Sequence, residues 1–142
     1  MSSIQCDIVS AETEIFSGEV AMVFATGVMG ELGIAPRHAP LITLLKPGEV
    51  RVELEDGTHQ NYYVSGGILE VQPYLVSVLA DTATRAEDID EAAAIQAKEE
   101  AERLLKDSDK KQDLARVQAD LAKAVAQIQA LSRLKKTLSR KR

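Results

Sequence analysis

The stretch from Glu49 to Val64, EVRVELEDGTHQNYYV, predicts a β-hairpin. Val50 and Val52 alternate with charged residues, which places apolar side chains on one face of a strand and polar ones on the other. Asp56-Gly57 follows, and this dipeptide favours a short hairpin turn because glycine tolerates a left-handed backbone. We therefore expect the residues on either side of Asp56-Gly57 to pair as antiparallel strands.

Similar strands extend outward from this hairpin over residues 4–80. The segments are short, rich in Val and Ile, and alternate apolar with polar residues. They are IQCDIVS, EIFSGEVAMVFATG, EVRVELE, QNYYVSGG, ILEVQP and YLVSVLAD. Turn residues separate them and no helical period intervenes, so we expect antiparallel strands stacked as a sandwich or a flattened barrel.

The pattern changes near residue 86, where helices are predicted. Residues 87–142 contain no Gly or Pro and are rich in Ala, Glu, Gln, Lys and Leu. Asp88 or Thr84 is predicted to cap the first helix. The apolar stripe of that helix recurs every four residues, at Ile89, Ala93, Ala97, Ala101 and Leu105. A second helix has seven-residue seams at Leu114, Leu121 and Ile128 and at Val117, Ala124, Leu131 and Leu138.

These two patterns predict an α+β fold with two domains. Residues 1–85 form an antiparallel β-sandwich, and residues 86–142 form an antiparallel hairpin of two helices. The helix interface is mostly alanine on one side, so it buries little apolar area. We therefore expect a hairpin that is only marginally stable alone and that is able to open.

Composition argues against several classes of function. No apolar run approaches the roughly 20 residues that span a bilayer and no signal-peptide pattern is present, so we expect a soluble, cytosolic protein. Cys6 is the only cysteine and no His/Cys cluster exists, so neither a disulfide nor a metal site is predicted. His38 and His59 lack the neighbours that catalysis requires, and we predict no enzymatic activity.

The charge distribution bears on the partners. The chain has a net charge of −5, yet six cations and no acid lie within residues 133–142. No aromatic residue accompanies these cations, and the acidic remainder would repel phosphate. The pattern favours an acidic protein surface over nucleic acid as the partner of this end.

Glycine and proline punctuate residues 27–40. Glycine recurs every third residue at 27, 30 and 33, but ELGIAPRHAP cannot start the helix that a phosphate-binding loop requires. We therefore predict turns that display a surface, with Glu31 and Arg37 facing outward. His38 lies between two prolines, which favours a structural or interface role over general-base chemistry.

Four longer strings resemble those of one protein family. They are CDIVSAETEIFSGEV (6–20), GELGIAPRHAPLITLLKPGEVRV (30–52), YVSGGILEVQP (63–73) and VSVLADTATRAEDIDEAAA (76–94). In this order they are similar to the epsilon chains of bacterial F-type rotary ATP synthases. The match runs from about residue 6 to 95, with a helical hairpin of the expected length after it.

The resemblance implies a non-catalytic subunit of the rotating central stalk, peripheral on the cytoplasmic side of the bacterial plasma membrane. The implied fold is a ten-stranded β-sandwich followed by two antiparallel helices. In that family the sandwich joins the gamma subunit to the polar loops of the membrane c-ring. The residues assigned by position to the c-ring are Gly30, Glu31 and Leu32, and those assigned to gamma are Arg37, His38 and Thr43. Arg37 departs from the family pattern, in which Gly or Asn is usual at this position.

The resemblance also implies a regulatory role for the hairpin. In that family it folds against the sandwich or extends toward the alpha and beta subunits, where basic residues meet an acidic segment of beta and hinder ATP hydrolysis. The corresponding residues here are Arg133, Lys135 and Lys136. From the residues alone, a solvated helix end that favours the helix dipole remains the alternative.

A nucleotide motif of the family is incomplete in this chain. Some members bind ATP through Ile or Leu, Asp, two variable residues, Arg and Ala. Residues 89–94, IDEAAA, match at Ile89, Asp90 and Ala94, but Ala93 stands where the arginine belongs. Alanine cannot replace the phosphate contacts of a guanidinium group, so we predict weak or absent ATP binding and no cofactor.

Another class of protein fits the same two halves. A free-standing sandwich whose helical hairpin recognises coiled-coil partners would be an adaptor or a chaperone. Co-purification distinguishes the two hypotheses, since only the first predicts a tight complex with gamma and the membrane enzyme.

Overall fold

The computed structural model describes residues 2–106 and 114–140, except for the side chains of residues 137–140. The chain divides into two compact units, Met1–Arg85 and Ala86–Arg142. The strands described in the first unit are β1 (Ile4–Ser10), β2 (Glu14–Val20), β3 (Met22–Gly27), β4 (Gly30–Ile34), β5 (Leu41–Glu53), β6 (His59–Val64), β7 (Gly67–Gln72), β8 (Leu75–Ala80) and β9 (Ala83–Arg85). The second unit contains a 3-10 turn (Ala86–Asp88), α1 (Glu91–Lys106) and α2 (Leu114–Arg140). The predicted α+β class is confirmed.

The strands form one continuous sheet with the order β2-β1-β8-β7-β5-β3-β4, and β6 pairs with β5 and β9. Most neighbours are antiparallel, as predicted, but β1 and β8 are parallel. Strand β5 contains 13 residues, and its halves have different neighbours. Leu41–Leu45 pairs with β7, and Gly48–Glu53 pairs with β6. Counting these halves separately gives the ten strands that the resemblance implies.

The predicted hairpin around Asp56-Gly57 is confirmed. Strands β5 and β6 are in register from Gly48–Val64 to Glu53–His59. The turn is closed by the amide of Gly57, which donates to the carbonyl of Leu54 at 2.9 Å. Gly57 has a φ of 88°, the left-handed conformation that glycine adopts without strain.

The curled sheet encloses one hydrophobic core, which is mostly aliphatic. Its buried members include Ile4, Cys6, Ile8, Val20, Val23, Ala25, Ile34, Leu45, Val50, Val52, Tyr62, Val64, Leu69, Val71, Val76 and Val78. Inward residues alternate with outward ones along each strand, as the period of two requires. The core therefore fixes which side chains the sheet displays to solvent.

In the helical unit, the structure corrects the predicted cap and one predicted stripe. Helix α1 begins at Glu91, and Asp90 rather than Asp88 or Thr84 caps it. The buried residues of α1 are Ala94 and Ala101, while Ala93 and Ala97 are exposed. A stripe drawn every four residues drifts around a helix with 3.6 residues per turn, whereas residues seven apart stay on one face.

The second helix follows one of its two predicted seams more closely than the other. Val117, Ala124 and Leu131 are buried, as the seven-residue spacing predicts, and the side chain of Leu138 lies outside the described residues. Leu114 is exposed, and Leu121 and Ile128 are half-buried. Ala126 and Ala130 are also buried although neither belongs to a predicted seam, so the buried residues of α2 differ from those that the sequence predicts.

Candidate interaction surfaces

A row of apolar side chains crosses the outer face of the sheet. Val9 is opposite Leu79, Leu79 is opposite Ile68, and Ile68 is opposite Leu44 in the strand register. At the end of the row, the amide of Val28 donates to the carbonyl of Leu44 at 3.0 Å. We call Val9, Leu79, Ile68, Leu44 and Val28 the apolar row. With strands about 4.8 Å apart, its four paired members extend roughly 14 Å across the sheet.

The apolar row is exposed to solvent. Leu44 is 58% exposed, Leu79, Ile68 and Val28 are between 40% and 50% exposed, and Val9 is half-buried. Ile42 extends the patch along β5 and is 71% exposed. Single exposed apolar residues are common, but a contiguous patch on a small protein typically marks an interaction surface.

Consecutive apolar residues within the strands indicate the apolar row in the sequence itself. Leu44–Leu45, Ile68–Leu69 and Val78–Leu79 are consecutive apolar pairs within strands. One member of each pair lies in the core, so alternation directs the other outward. Where strand alternation calls for a polar residue, the chain repeatedly places an apolar one.

The residues assigned to gamma contact lie close to this surface in the chain but differ in exposure. Thr43 alternates with Ile42 and Leu44, so it lies on the inward side with Leu41 and Leu45 and is half-buried. The exposed positions of this segment of β5 are therefore Ile42 and Leu44.

The connector before β5 is held in a defined conformation. Arg37 has a φ of 64°, in the left-handed region, and its amide donates to the carbonyl of Pro73 at 2.9 Å. His38 Nδ1 donates to the carbonyl of Ala39 at 2.7 Å. The left-handed conformation at Arg37 explains why Gly or Asn suits this position better than a bulky residue.

The turn between β3 and β4 displays a second surface. Gly27 pairs with Gly30, which has a φ of 128°, so Val28 and Met29 form the tip of a tight hairpin. Met29 is 93% exposed. The carboxylate of Glu31 is exposed and accepts a hydrogen bond from Thr26 Oγ1 at 2.9 Å. Leu32, in contrast, packs against the core.

This arrangement refines the predicted c-ring contact. Gly30 and Glu31 are exposed as the sequence suggests, but the side chain of Leu32 faces inward. Met29, which is not among the residues predicted for this contact, is the most exposed apolar side chain of the turn. Its position at the tip of a two-residue hairpin is the signal that would have identified it.

The basic end of α2 is part of the hairpin structure. Arg133, Lys135 and Lys136 are all exposed. Lys135 Nζ lies 2.9 and 2.8 Å from Oε1 and Oε2 of Glu91, at the start of α1. The structure therefore places Lys135 in an ion pair that joins the two helices.

The incomplete nucleotide motif has a structural role at the start of α1. Asp90 Oδ1 accepts a hydrogen bond from the amide of Ala93 at 3.1 Å, which is the bond of a helix N-cap. Ala94 is buried, whereas Ala93 is exposed and provides only a methyl group. A phosphate has no guanidinium partner at position 93.

Two further observations concern the described residues 2–106 and 114–140. They contain no group of three or more His, Cys, Asp or Glu side chains placed to hold a metal ion. They also contain no helix that is long and apolar enough to cross a membrane.

Two family models together match almost the whole chain. Residues 3–86 match the ATP synthase, Delta/Epsilon chain, beta-sandwich domain, and residues 87–132 match the ATP synthase, Delta/Epsilon chain, long alpha-helix domain. Among curated proteins, the ATP synthase epsilon chain of Stenotrophomonas maltophilia (strain K279a) is 62% identical over 138 residues, covering 97% of this chain and 99% of that protein. The epsilon chain of Nitrosococcus oceani is 60% identical over 136 residues, covering 96% and 97%.

Solved structures show the same fold. A chain in the cryo-EM structure of Euglena gracilis mitochondrial ATP synthase, described as OSCP/F1/c-ring in rotational state 1, is similar with a TM-score of 0.75 and 25% identity. The similarity covers 97% of this chain and 82% of that chain. A chain of the Tetrahymena thermophila mitochondrial ATP synthase central stalk/c-ring has a TM-score of 0.62 at 12% identity, covering 90% and 96%.

Proposed function

The chain belongs to the ATP synthase epsilon chain family, and from this premise we propose that its sheet unit joins the gamma subunit to the c-ring within the central stalk. Members of this family are non-catalytic subunits of the F-type rotary complex. We further propose that the complex holds the chain at the cytoplasmic side of the bacterial plasma membrane. Its helical hairpin regulates ATP hydrolysis through contacts with the alpha and beta subunits.

The apolar row is the observation that supports gamma binding most directly. It is contiguous across four strands, and Ile42 enlarges it along β5. Burying an apolar side chain that is about half exposed contributes roughly 1 kcal/mol. Burial of the apolar row would therefore supply a large part of the binding free energy of a stable subunit contact. Arg37 and His38, on the connector that leads into β5, lie at the edge of the proposed interface.

Binding to purified gamma tests this proposal. Leu44→Ser and Leu79→Ser each remove an exposed apolar side chain from the row and leave the core intact. We expect each substitution to raise the Kd for gamma about tenfold, which corresponds to roughly 1.4 kcal/mol. Tyr74→Ser is the matched control, because Tyr74 is an exposed apolar residue outside the row. Equal losses for all three variants, or none, would contradict the proposed interface.

The β3–β4 turn is the proposed c-ring contact. Glu31 offers a carboxylate oriented by Thr26, and Met29 offers a flexible apolar side chain that adapts to the polar loops of a rotating ring. We expect Met29→Ser combined with Glu31→Gln to reduce ATP-driven proton pumping in membrane vesicles while gamma binding is unchanged. Retained pumping would place the c-ring contact elsewhere.

The hairpin is proposed to inhibit ATP hydrolysis when it extends. Arg133, Lys135 and Lys136 then meet the acidic segment of the beta subunit. Deletion of residues 86–142 should raise ATP hydrolysis by the assembled complex and leave coupling largely intact. Unchanged hydrolysis after this deletion would remove the inhibitory role from the hairpin.

A further inference from the structure

An ion pair joins the first residue of α1 to the C-terminal part of α2. Glu91 is the first residue of α1, Lys135 lies near the end of α2, and Lys135 Nζ is within hydrogen-bonding distance of both carboxylate oxygens of Glu91. These residues are 44 positions apart in sequence. The pairs Lys98–Glu102 and Arg103–Glu100, in contrast, each join residues of α1.

The helix dipole favours one of these two charges. Glu91 is in the first turn of α1, where the helix N-terminus attracts its carboxylate. Lys135 is five residues before the end of α2, outside the last turn, so its ammonium group interacts chiefly with Glu91. The pair therefore combines a direct attraction with a favourable position of the carboxylate on α1.

The rest of the seam between the helices is thin. Its buried residues are mainly alanines, with Val117 and Leu131 as the larger side chains. An open groove of about 330 Å³ is lined by residues of both helices, among them Ala97 and Ala124. Since the apolar contribution is small, an exposed ion pair worth about 0.2–1 kcal/mol is enough to change the balance between the closed hairpin and an opened one.

We propose that the Glu91–Lys135 ion pair is a latch that sets the fraction of time the hairpin is closed. The latch also controls when Lys135 is available, because its ammonium group cannot bond to Glu91 and to a carboxylate of another subunit in an opened hairpin at once. This second consequence rests on the proposed inhibitory function. The first is a property of the isolated chain.

Hydrogen exchange of the isolated full-length chain tests the latch. The variants are Glu91→Gln, Lys135→Gln and the double variant, with Glu102→Gln as the matched control that breaks an ion pair within α1 alone. We expect amides near Ala130 and Leu131 to exchange about two- to fivefold faster in each latch variant, as for the loss of a partly exposed pair. Glu102→Gln should exchange at the wild-type rate.

The double variant separates pairing from the effect of each charge alone. If the two residues act through one another, the double variant exchanges no faster than the faster single variant, and the two effects are not additive. High salt should likewise narrow the difference between the wild type and Glu91→Gln, because at about 1 M salt the Debye length falls to roughly 3 Å, comparable with the separation of these two solvent-exposed charges. The proposed latch would be overturned if the two single substitutions accelerate hydrogen exchange additively. It would also be overturned if amides in Glu91→Gln exchange at the same rate as in Glu102→Gln.

Hydrolysis by the assembled complex addresses the inhibitory function separately. Glu91→Gln should lower ATP hydrolysis, since an opened hairpin presents Lys135 more often. Faster exchange with unchanged hydrolysis would support the latch and contradict the inhibitory role. Unchanged exchange would overturn the latch whatever the hydrolysis rate.

Discussion

The carboxylate of Asp90 accepts a hydrogen bond from the amide of Ala93 at 3.1 Å and thereby caps α1. The carbonyl of Asp90 also accepts from the amide of Ala94 at 3.0 Å, the first backbone bond of the helix. Asp90→Ala should therefore destabilise the helical unit by about 1 kcal/mol, whereas Asp90→Asn should retain most of the cap. Urea unfolding followed by helical circular dichroism measures the difference. Asp88→Ala is the control, and an equal loss at Asp88 would contradict this assignment.

The same residues determine what we expect of ATP binding. Asp90 serves the backbone, and Ala93 offers no charge to a phosphate. Calorimetric titration of the wild-type chain should show a Kd weaker than about 1 mM, equivalent to less than roughly 4 kcal/mol of binding free energy. Ala93→Arg should strengthen binding, and Ala92→Arg, exposed one residue away, should not. Micromolar affinity in the wild type would show that the guanidinium group is dispensable.

The hairpin at residues 49–64 and the division between sheet and helices were predictable because their signals are local. A period of two, a Gly at a left-handed turn and a long segment without Gly or Pro each act within a few residues. The parallel pairing of β1 with β8 was not predictable in this way, because it joins strands from opposite ends of the sheet unit. The prediction of the helix cap was wrong for another reason. Thr84, Asp88 and Asp90 are all competent caps, and the 3-10 turn Ala86–Asp88 decides among them.

The candidate surfaces were predictable only as segments of chain. The sequence predicts that GELG and the connector near His38 are displayed segments, but without the strand register it does not tell which side chains within them face outward. Once the register is known, Leu32 and Thr43 turn inward, and Met29 and Leu44 take the exposed positions. The apolar row needs four strands in register, so no single stretch of sequence contains it.

The left-handed backbone at Arg37 predicts that glycine at this position would increase the free energy of unfolding. Its φ of 64° places a side chain with a Cβ in the left-handed region, which costs roughly 1 kcal/mol relative to glycine. The greater freedom of glycine in the unfolded chain offsets about 0.4–1 kcal/mol of this relief, so Arg37→Gly should raise the free energy of unfolding by at most about 0.6 kcal/mol. Denaturant unfolding provides the measurement. Ala39→Gly, at a nearby exposed position outside the left-handed region, should instead lower stability, and a gain there too would remove backbone strain as the explanation.

The buried thiol of Cys6 should make stability fall at alkaline pH. Burial, aided by the negative charge of Asp7, raises its pKa from 9.0 to about 12. Between these values the unfolded chain loses the thiol proton while the folded chain keeps it, so rising pH favours unfolding. From pH 8 to pH 10 this group alone should remove about 1 kcal/mol of stability. Other groups titrate in the same range, so the measurement is the difference between the wild type and Cys6→Ala in urea unfolding at each pH. The gap between the two proteins should shift by that amount as pH rises, and a constant gap would mean that the thiol ionises as readily in the folded protein as in the unfolded chain.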